Sequence, residues 1–160
     1  MLLSIITTVK DDSIGIYTTI KSVLNQDFFK NTEYIIVDAS SKNNVSLIIN
    51  DLIKNKKFKN IKHIKSNDKS FYEGINKGIK ASHGTHIGIL NSGDVYYNRN
   101  VLKTISSEIE KKPLANIIFG KVIFYDTHGV TRNWIEKKSY IKLSPFLLAH
   151  PACFIRKNIL

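Results

Sequence analysis

Four times along the chain, a short apolar, β-branched run is followed by apolar residues at helical spacing. The first run is Leu2 to Val9, and Ile16, Ile20, Val23 and Leu24 recur behind it. The second is Glu33 to Val37, ending at Asp38; Val45, Ile48, Ile49, Leu52 and Ile53 then share one helical face. The third is Asn60 to Lys65, followed by Phe71, Ile75 and Ile79 on one face. The fourth is His86 to Leu90, followed by Val101, Leu102, Ile105 and Ile109, with the helix ending near Pro113. Alternation of strand and helix at this spacing predicts an α/β fold with a mostly parallel sheet and helices packed against it. Beyond Pro113 the pattern changes. Ala115 to Tyr125 reads as one longer strand, Asp126-Thr127-His128-Gly129 as a turn, and Val130 to Ile135 as the returning strand of a hairpin. The tail from Ser144 to Ile155 carries Pro145 and Pro151 and a short apolar run. With no internal repeat, low-complexity stretch or linker, residues 1–160 read as one domain.

Composition narrows the class. Apolar residues are 42% and charged residues 23% of the 160, the balance of an ordinary soluble domain. The single cysteine, Cys153, excludes an intramolecular disulfide, and its neighbours Ala152, Phe154 and Ile155 make it a buried filler. No apolar run reaches the roughly 18 residues of a membrane span. Met1 to Ile6 lacks a basic leader and a cleavage site, so it reads as a strand and not a signal peptide. A cytoplasmic location is expected. The net charge of +11 admits three anionic partners: nucleic acid, acidic lipid or a polyanionic ligand. The excess is nearly all lysine and is spread along the chain. Its densest cluster, Lys54, Lys56, Lys57, Lys59, Lys62 and Lys65, has only Phe58, His63 and Phe71 as nearby rings. That argues against nucleic acid and leaves peripheral attraction to the inner face of the plasma membrane, or an anionic ligand.

Open α/β sheets bind ligands at the carboxyl ends of their strands. Here those ends carry Thr7-Thr8-Val9-Lys10-Asp11, Asp38-Ala39-Ser40-Ser41, Ser66-Asn67-Asp68 and Asn91-Ser92-Gly93-Asp94. All four hold oxygen-bearing side chains. Neither G-x-G-x-x-G nor G-x-x-x-x-G-K-[ST] occurs, so no glycine cradle is available for a diphosphate. A nucleotide ligand would then need positive charge from a divalent cation. Mg²⁺ and Mn²⁺ prefer hard oxygen donors, and one or two carboxylates plus phosphates suffice. Asp94 is the candidate metal ligand, Asn91 a weaker one, and Gly93 lets the backbone turn or approach phosphate. The competing structural role for Asp94 is a cap on the following helix. Asp38, ending the second strand, could accept from a ribose hydroxyl or a base N–H, or could close an Asx turn with Ser40.

Taken in order, these residues resemble glycosyltransferase family 2, whose domains have the GT-A fold, a Rossmann-like sandwich. The likeness starts at Leu3-Ser4-Ile5-Ile6-Thr7-Thr8. Ser22-Val23-Leu24-Asn25-Gln26 resembles S-[VI]-L-x-Q, and Glu33 to Ser41 resembles E-x-I-[IV]-V-D-[DG]-x-S. Ser66 to Gly78 is similar to S-E-x-D-x-G-I-Y-D-A-[ML]-N-K-G, a run typical of the colanic-acid and exopolysaccharide branch. Leu90-Asn91-Ser92-Gly93-Asp94 resembles that branch's version of the D-x-D metal motif, and His150-Pro151-Ala152-Cys153-Phe154 the segment before the acceptor region. The resemblance implies an inverting enzyme that moves a sugar from a nucleotide donor, usually a UDP-sugar, to a polysaccharide or lipid-linked glycan in the bacterial cell envelope. Thr8 and Asp38 would contact the nucleoside, and Asp68 and Asn76 would line the nucleotide and sugar pocket. Asp94 would hold Mn²⁺ or Mg²⁺, and His150 would meet donor sugar or acceptor.

Several positions depart from the pattern. Ala39 replaces the usual second acid, Asn91 and Gly93 replace acids of the D-x-D motif, and Ser70 stands where glycine is common. The acidic motif that supplies a general base in such enzymes follows the H-x-[AGST] segment and is absent up to Leu160. The carboxylates after Asp94 are Glu108, Glu110, Asp126 and Glu136, none in a matching context. The chain is therefore expected to be C-terminally short, with its base beyond Leu160. Two other readings stand beside the enzyme: a catalytically inactive sugar-nucleotide-binding module, and a basic nucleic-acid binder.

Overall fold

The computed structural model of the chain describes residues 2–54, 60–68, 70–126, 128–134 and 150–160. Lys56, Lys57, Phe58 and Lys59 of the lysine cluster, Lys69, Thr127, the hairpin end at Ile135, Glu136 and Pro145 lie outside the described residues.

The four predicted strand–helix pairs are present. β1 (Leu3–Val9) precedes α1 (Ser13–Leu24), β2 (Thr32–Asp38) precedes α2 (Asn43–Lys54), β3 (Ile61–Lys65) precedes α3 (Phe71–Ala81), and β4 (His86–Ile89) precedes α4 (Val101–Lys111). Then come β5 (Ile117–Phe119), β6 (Val122–Asp126), β7 (Gly129–Trp134) and β8 (Cys153–Arg156). The main sheet runs β3-β2-β1-β4-β8-β5. β3, β2, β1 and β4 pair in parallel, whereas β8 runs antiparallel to both β4 and β5.

Both faces of this sheet are covered, which is why its strands read as continuous apolar runs. On one face Leu3, Ile5, Val9, Tyr34 and Ile36 pack against Ile16 and Ile20 of α1, Val45 and Ile49 of α2, and Leu102 and Ile105 of α4. On the other, the alternate residues Ile6, Ile35, Val37 and Ile87 meet Ile79 and Ala81 of α3. Helix α3 lies close because Gly78 faces Ile6; a Cβ there would sit 2.5 Å from the Ile6 Cγ2. Gly88 in β4 faces Phe154 of β8 in the same way, with a Cβ placed 2.7 Å from the ring. Gly88→Ala is expected to cost about 1–3 kcal/mol by overpacking. Urea unfolding at constant m-value would show it, and an unchanged midpoint would contradict it.

Two expectations need correction. The stretch from Ala115 to Tyr125 is not one strand. It breaks at Gly120 and Lys121, so that β5 joins the main sheet and β6, among the described residues, pairs only with β7. The residues on either side answer to different partners, Ile117 to Ile155 and Val122 to Trp134. Phe71 does not join Ile75 in a common core; it is exposed at the start of α3. Gln26, the last residue of the S-[VI]-L-x-Q run, has a purely structural task. Its Nε2 donates to Asn98 O at 2.7 Å, and its Oε1 accepts from Leu102 N at 3.1 Å. It thereby satisfies a free amide in the first turn of α4, where Asn100 forms no side-chain cap.

Candidate functional site

Parallel pairing brings the carboxyl ends of β1, β2, β3 and β4 to one edge. Thr8 at the end of β1 lies between Asp68, from the loop after β3, and Asn91, from the loop after β4. The Thr8 carbonyl accepts from Ser92 N at 3.3 Å, and Thr7 Oγ1 donates to Leu90 O at 2.7 Å. Three side-chain oxygens at this edge are buried without a hydrogen-bond partner: Thr8 Oγ1, Asp68 Oδ2 and Asn91 Oδ1. Orphaned buried polar atoms are costly, and their clustering marks a place where a ligand would supply the missing partners.

Two cavities flank the edge. The smaller, ≈ 200 Å³, is bounded by Thr8, Lys10, Ala39, Asp68, Phe71 and Gly74. Lys77 donates to Asp68 Oδ1 and to Ser66 Oγ, leaving Asp68 Oδ2 toward α3. Gly74 makes that approach feasible, since a Cβ there would lie 3.1 Å from Thr8 Cγ2 and 3.3 Å from Asp68 Oδ2. The larger cavity, ≈ 660 Å³, is bounded by Gly93, Asp94 and Tyr96, by Lys121 to Tyr125 of the ribbon, and by Pro151 and Phe154.

Asp94 is half-buried beside this larger space. Burial pushes its carboxyl above the ordinary carboxylate range; the charge of His150 and the backbone amide of Asn91 pull it down without cancelling that effect. His150 begins a short 3₁₀ turn, and its Nε2 lies 3.4 Å from Asn91 Nδ2. Asn91, Asp94 and His150 are thus gathered at one point. Asp94 does not cap α4, which starts at Val101 with Asn100 as its N-cap residue. Gly93 has φ +94, a left-handed conformation that favours glycine. Among the described residues no group of three His, Cys, Asp or Glu forms a ready metal site. One carboxylate and one orphaned carboxamide oxygen still suit a hard cation whose other donors come from phosphate and water.

Asp38 takes a different place. It is fully buried, with Oδ1 accepting from Ser40 N at 2.9 Å, which is the Asx turn. Its Oδ2 accepts from Ser46 Oγ at 2.6 Å and Lys65 Nζ at 3.1 Å, with His63 Nε2 at 3.4 Å. Burial raises its pKa, and the hydrogen bonds from Ser46, Ser40 and Lys65 outweigh that and hold it at about 2. Contact with a nucleoside would require one of these internal partners to give way. Asn76 is exposed on α3 and lines neither cavity. Of the later acids, Glu108 pairs with Lys111 and Lys112, and Asp126 accepts from His128 N at 2.7 Å as turn chemistry. No described carboxylate besides Asp94 lines the larger cavity.

Sequence reasoning passed over the residues that hold the β4–α4 loop. Asp12 Oδ2 accepts from Ser92 Oγ at 2.7 Å, Thr19 Oγ1 accepts from Gly93 N at 3.0 Å, and Ser22 Oγ accepts from Tyr96 N at 2.8 Å. The available signal was a buried hydroxyl, Thr19, among the apolar positions Ile16, Ile20 and Val23 of α1. No helix among the described residues is long and apolar enough to cross a membrane.

Comparison with known proteins bears on the whole arrangement. Residues 4–158 match the sequence model described as Glycosyl transferase family 2. No curated protein matches the chain. Among solved structures, Staphylococcus aureus TarS 1-349 superposes with a TM-score of 0.81 at 21% identity, over 100% of this chain and 48% of that one. The same TarS fragment in complex with UDP-GlcNAc gives 0.79 at 21% identity, over 100% of this chain and 46% of that one. The mannosyltransferase PcManGT from Pyrobaculum calidifontis, in complex with GDP-Man and Mn²⁺, gives 0.67 at 11% identity, over 78% and 35%. The chain therefore spans about half the length of the solved TarS fragment. The topology is that of the GT-A sandwich. With the family's sequence model covering nearly its entire length and this sheet edge in place, the chain belongs to glycosyl transferase family 2.

Proposed function

We propose that the chain binds the donor of a glycosyl transfer, a nucleoside diphosphate sugar, along the edge formed by Thr8, Asp68, Asn91 and Asp94. One observation carries the reading: the buried, unpartnered oxygens of Thr8, Asp68 and Asn91, which lie at the carboxyl ends of three strands on one edge of the parallel sheet. The base would occupy the smaller cavity against Phe71. There Asp68 Oδ2 can only accept while ionised, and Thr8 Oγ1 can donate. An acceptor beside a donor suits the N–H and C=O of an imide edge, as in uracil; cytosine would match it only in a shifted register, through its amino N–H and ring nitrogen. We assign UDP as the nucleotide. TarS binding UDP-GlcNAc, as its structure states, is in keeping with this choice.

The diphosphate would then lie toward Asn91 and Asp94. These two residues would hold Mn²⁺ or Mg²⁺, which when bound neutralises the charge of the departing nucleoside diphosphate. Gly93 leaves room for that approach, since nothing lies within 4 Å of the position a Cβ would take. The donor sugar and the acceptor, a polysaccharide or lipid-linked glycan as in the exopolysaccharide branch, would share the larger cavity beside His150 and the β6–β7 ribbon. Transfer with inversion requires a general base for the acceptor hydroxyl. No described residue besides Asp94 offers a carboxylate there, so none is assigned that role. This same fact favours, as a second reading, donor binding without transfer. The +11 charge supports attraction to an anionic membrane face.

Titration of UDP, CDP and ADP into the chain with Mn²⁺ present tests the proposal. UDP is expected to bind at least about tenfold more tightly than CDP, because in the register that gives the uracil N3–H to Asp68, cytosine leaves the carboxylate facing a lone pair. Equal affinities would overturn the base assignment, and no binding at millimolar nucleotide would overturn donor binding. Hydrolysis of UDP-GlcNAc by the same preparation would separate an active transferase fragment from a binding module.

A further inference from the structure

We propose that Thr19 is the positioning residue of the cation-binding loop: its single hydroxyl sets the orientation of Asp94 and so the affinity for the divalent ion. The inference rests on the metal reading above and concerns a residue that touches neither ion nor nucleotide. Thr19 lies in the middle of α1 and is fully buried. A threonine in a helix usually turns its hydroxyl back to a carbonyl of the preceding turn. Thr18 does this, donating to Gly15 O at 2.8 Å. Thr19 instead points across to the loop after β4. Its Oγ1 accepts from Gly93 N at 3.0 Å and lies 2.8 Å from Asp94 O and 3.2 Å from Asn91 O. With one proton to give, it donates to the nearer carbonyl, that of Asp94.

This one group therefore fastens the backbone on both sides of the Gly93–Asp94 peptide. Gly93 is the residue at φ +94, so the turn that aims Asp94 is the turn Thr19 holds. Its neighbours on α1 reinforce the grip. Asp12 accepts from Ser92, and Ser22 accepts from Tyr96, one before and one after the held segment. Gly15 lets the helix come this close, because a Cβ there would lie 2.8 Å from Gly93 N. Asp12, the N-cap of α1, and residues 15, 19 and 22 recur at helical spacing, so one face of the capped helix forms a rack for the loop. Ser92, Gly93 and Asp94 are held by the helix, while Asn91 Oδ1 stays without a partner and Asp94 lines the larger cavity.

Removing the hydroxyl leaves the Gly93 amide and the Asp94 carbonyl without their shared partner and frees the turn to rotate. Supports behind metal ligands typically contribute 10–100-fold in metal affinity. The test uses the whole chain and reads Mn²⁺ directly, by the electron paramagnetic resonance signal of free Mn²⁺ in saturating UDP. Thr19→Val is expected to weaken Mn²⁺ binding by about 10–100-fold. Thr19→Ser keeps the hydroxyl and should stay within about threefold of wild type, and Thr18→Val serves as a control that should not change. UDP affinity without metal should be the same in all four proteins. A folded Thr19→Val that binds Mn²⁺ like wild type overturns the proposal, as does a Thr19→Ser that loses as much as Thr19→Val. Thermal unfolding establishes that the variants are folded, and Thr19→Ala replaces Thr19→Val if the latter is not. Failure of the wild type to take up Mn²⁺ with UDP would bring down the metal reading itself, a result distinct from the variant outcomes.

Discussion

Asp94→Ala should abolish the part of UDP affinity that depends on Mn²⁺, a loss of at least about a hundredfold, given that even supports behind a metal ligand contribute 10–100-fold. The physical case is that the site offers one carboxylate and one carboxamide oxygen, and no other described acid lines the larger cavity. Deleting that carboxylate deletes the only formal negative charge the described cavity wall brings to the ion. The same change should be harmless or favourable to the empty fold. Burial raises the Asp94 pKa above its ordinary value, so the charged form is harder to keep in the folded chain than in the unfolded one. An acid shifted in this direction lowers stability above its folded pKa. Asp94→Asn should therefore raise the melting temperature at neutral pH without metal, while removing the gain in melting temperature that Mn²⁺ and UDP together give the wild type. Calorimetric titration and thermal unfolding read the two halves. A variant that keeps metal-dependent UDP binding, or that melts well below wild type, would remove Asp94 from the role.

Asp38 should behave in the opposite way. Its carboxylate collects Ser40 N, Ser46 Oγ and Lys65 Nζ inside the chain. Asp38→Ala leaves the first two without their acceptor, and the expected loss is about 2–4 kcal/mol. Lys65 adds little, because its side chain reaches solvent. The pH dependence follows from the depressed pKa. The unfolded chain takes up this proton near 3.8 and the folded chain only near about 2. The stability is complete above the unfolded value and disappears as pH falls through the folded one. That difference is worth about 2 kcal/mol. Glu33, whose pKa is raised by burial and lowered further by His83 and Ser4, contributes in the same direction, so the comparison must be made against a variant. Between pH 4 and 2, urea unfolding of Asp38→Asn should depend on pH more weakly than that of wild type, by about this amount. Equal slopes would show that the buried carboxylate is not the acid-sensitive group.

These two aspartates show what the chain discloses before folding and what it withholds. Both stand at strand ends, and turn residues at strand ends are visible in any α/β sequence. Whether such a carboxylate faces a cleft or its own loop depends on partners outside the turn. Asp38 is held chiefly by Ser46, on the following helix, and the turn of Asp94 by Thr19, 75 residues earlier. No local pattern carries that information. Periodicity located β1 to β4 and α1 to α4 because each buries enough apolar surface to repeat its period. It failed at Gly120, where Ile117 to Phe119 and Val122 to Asp126 are equally apolar yet belong to different sheets. It also failed at β8, four residues next to Pro151, too short for alternation to be read. The unpartnered oxygens of Thr8, Asp68 and Asn91 lay at positions the sequence already singled out, since hydroxyl, carboxylate and amide at three strand ends have few structural reasons to gather.

The break at Gly120 has an evolutionary corollary. Because β6 and β7, among the described residues, form a two-stranded sheet apart from the main one, residues can be added to or removed from their tip without shifting the register of any strand in the central sheet. The half of the molecule proposed to read the nucleotide is under strict geometric control, while the arm overhanging the other cavity can be recut freely. Divergence among such chains should accordingly be concentrated in that arm, letting new hydroxyl-bearing molecules be tried against an unchanged version of the proposed donor site.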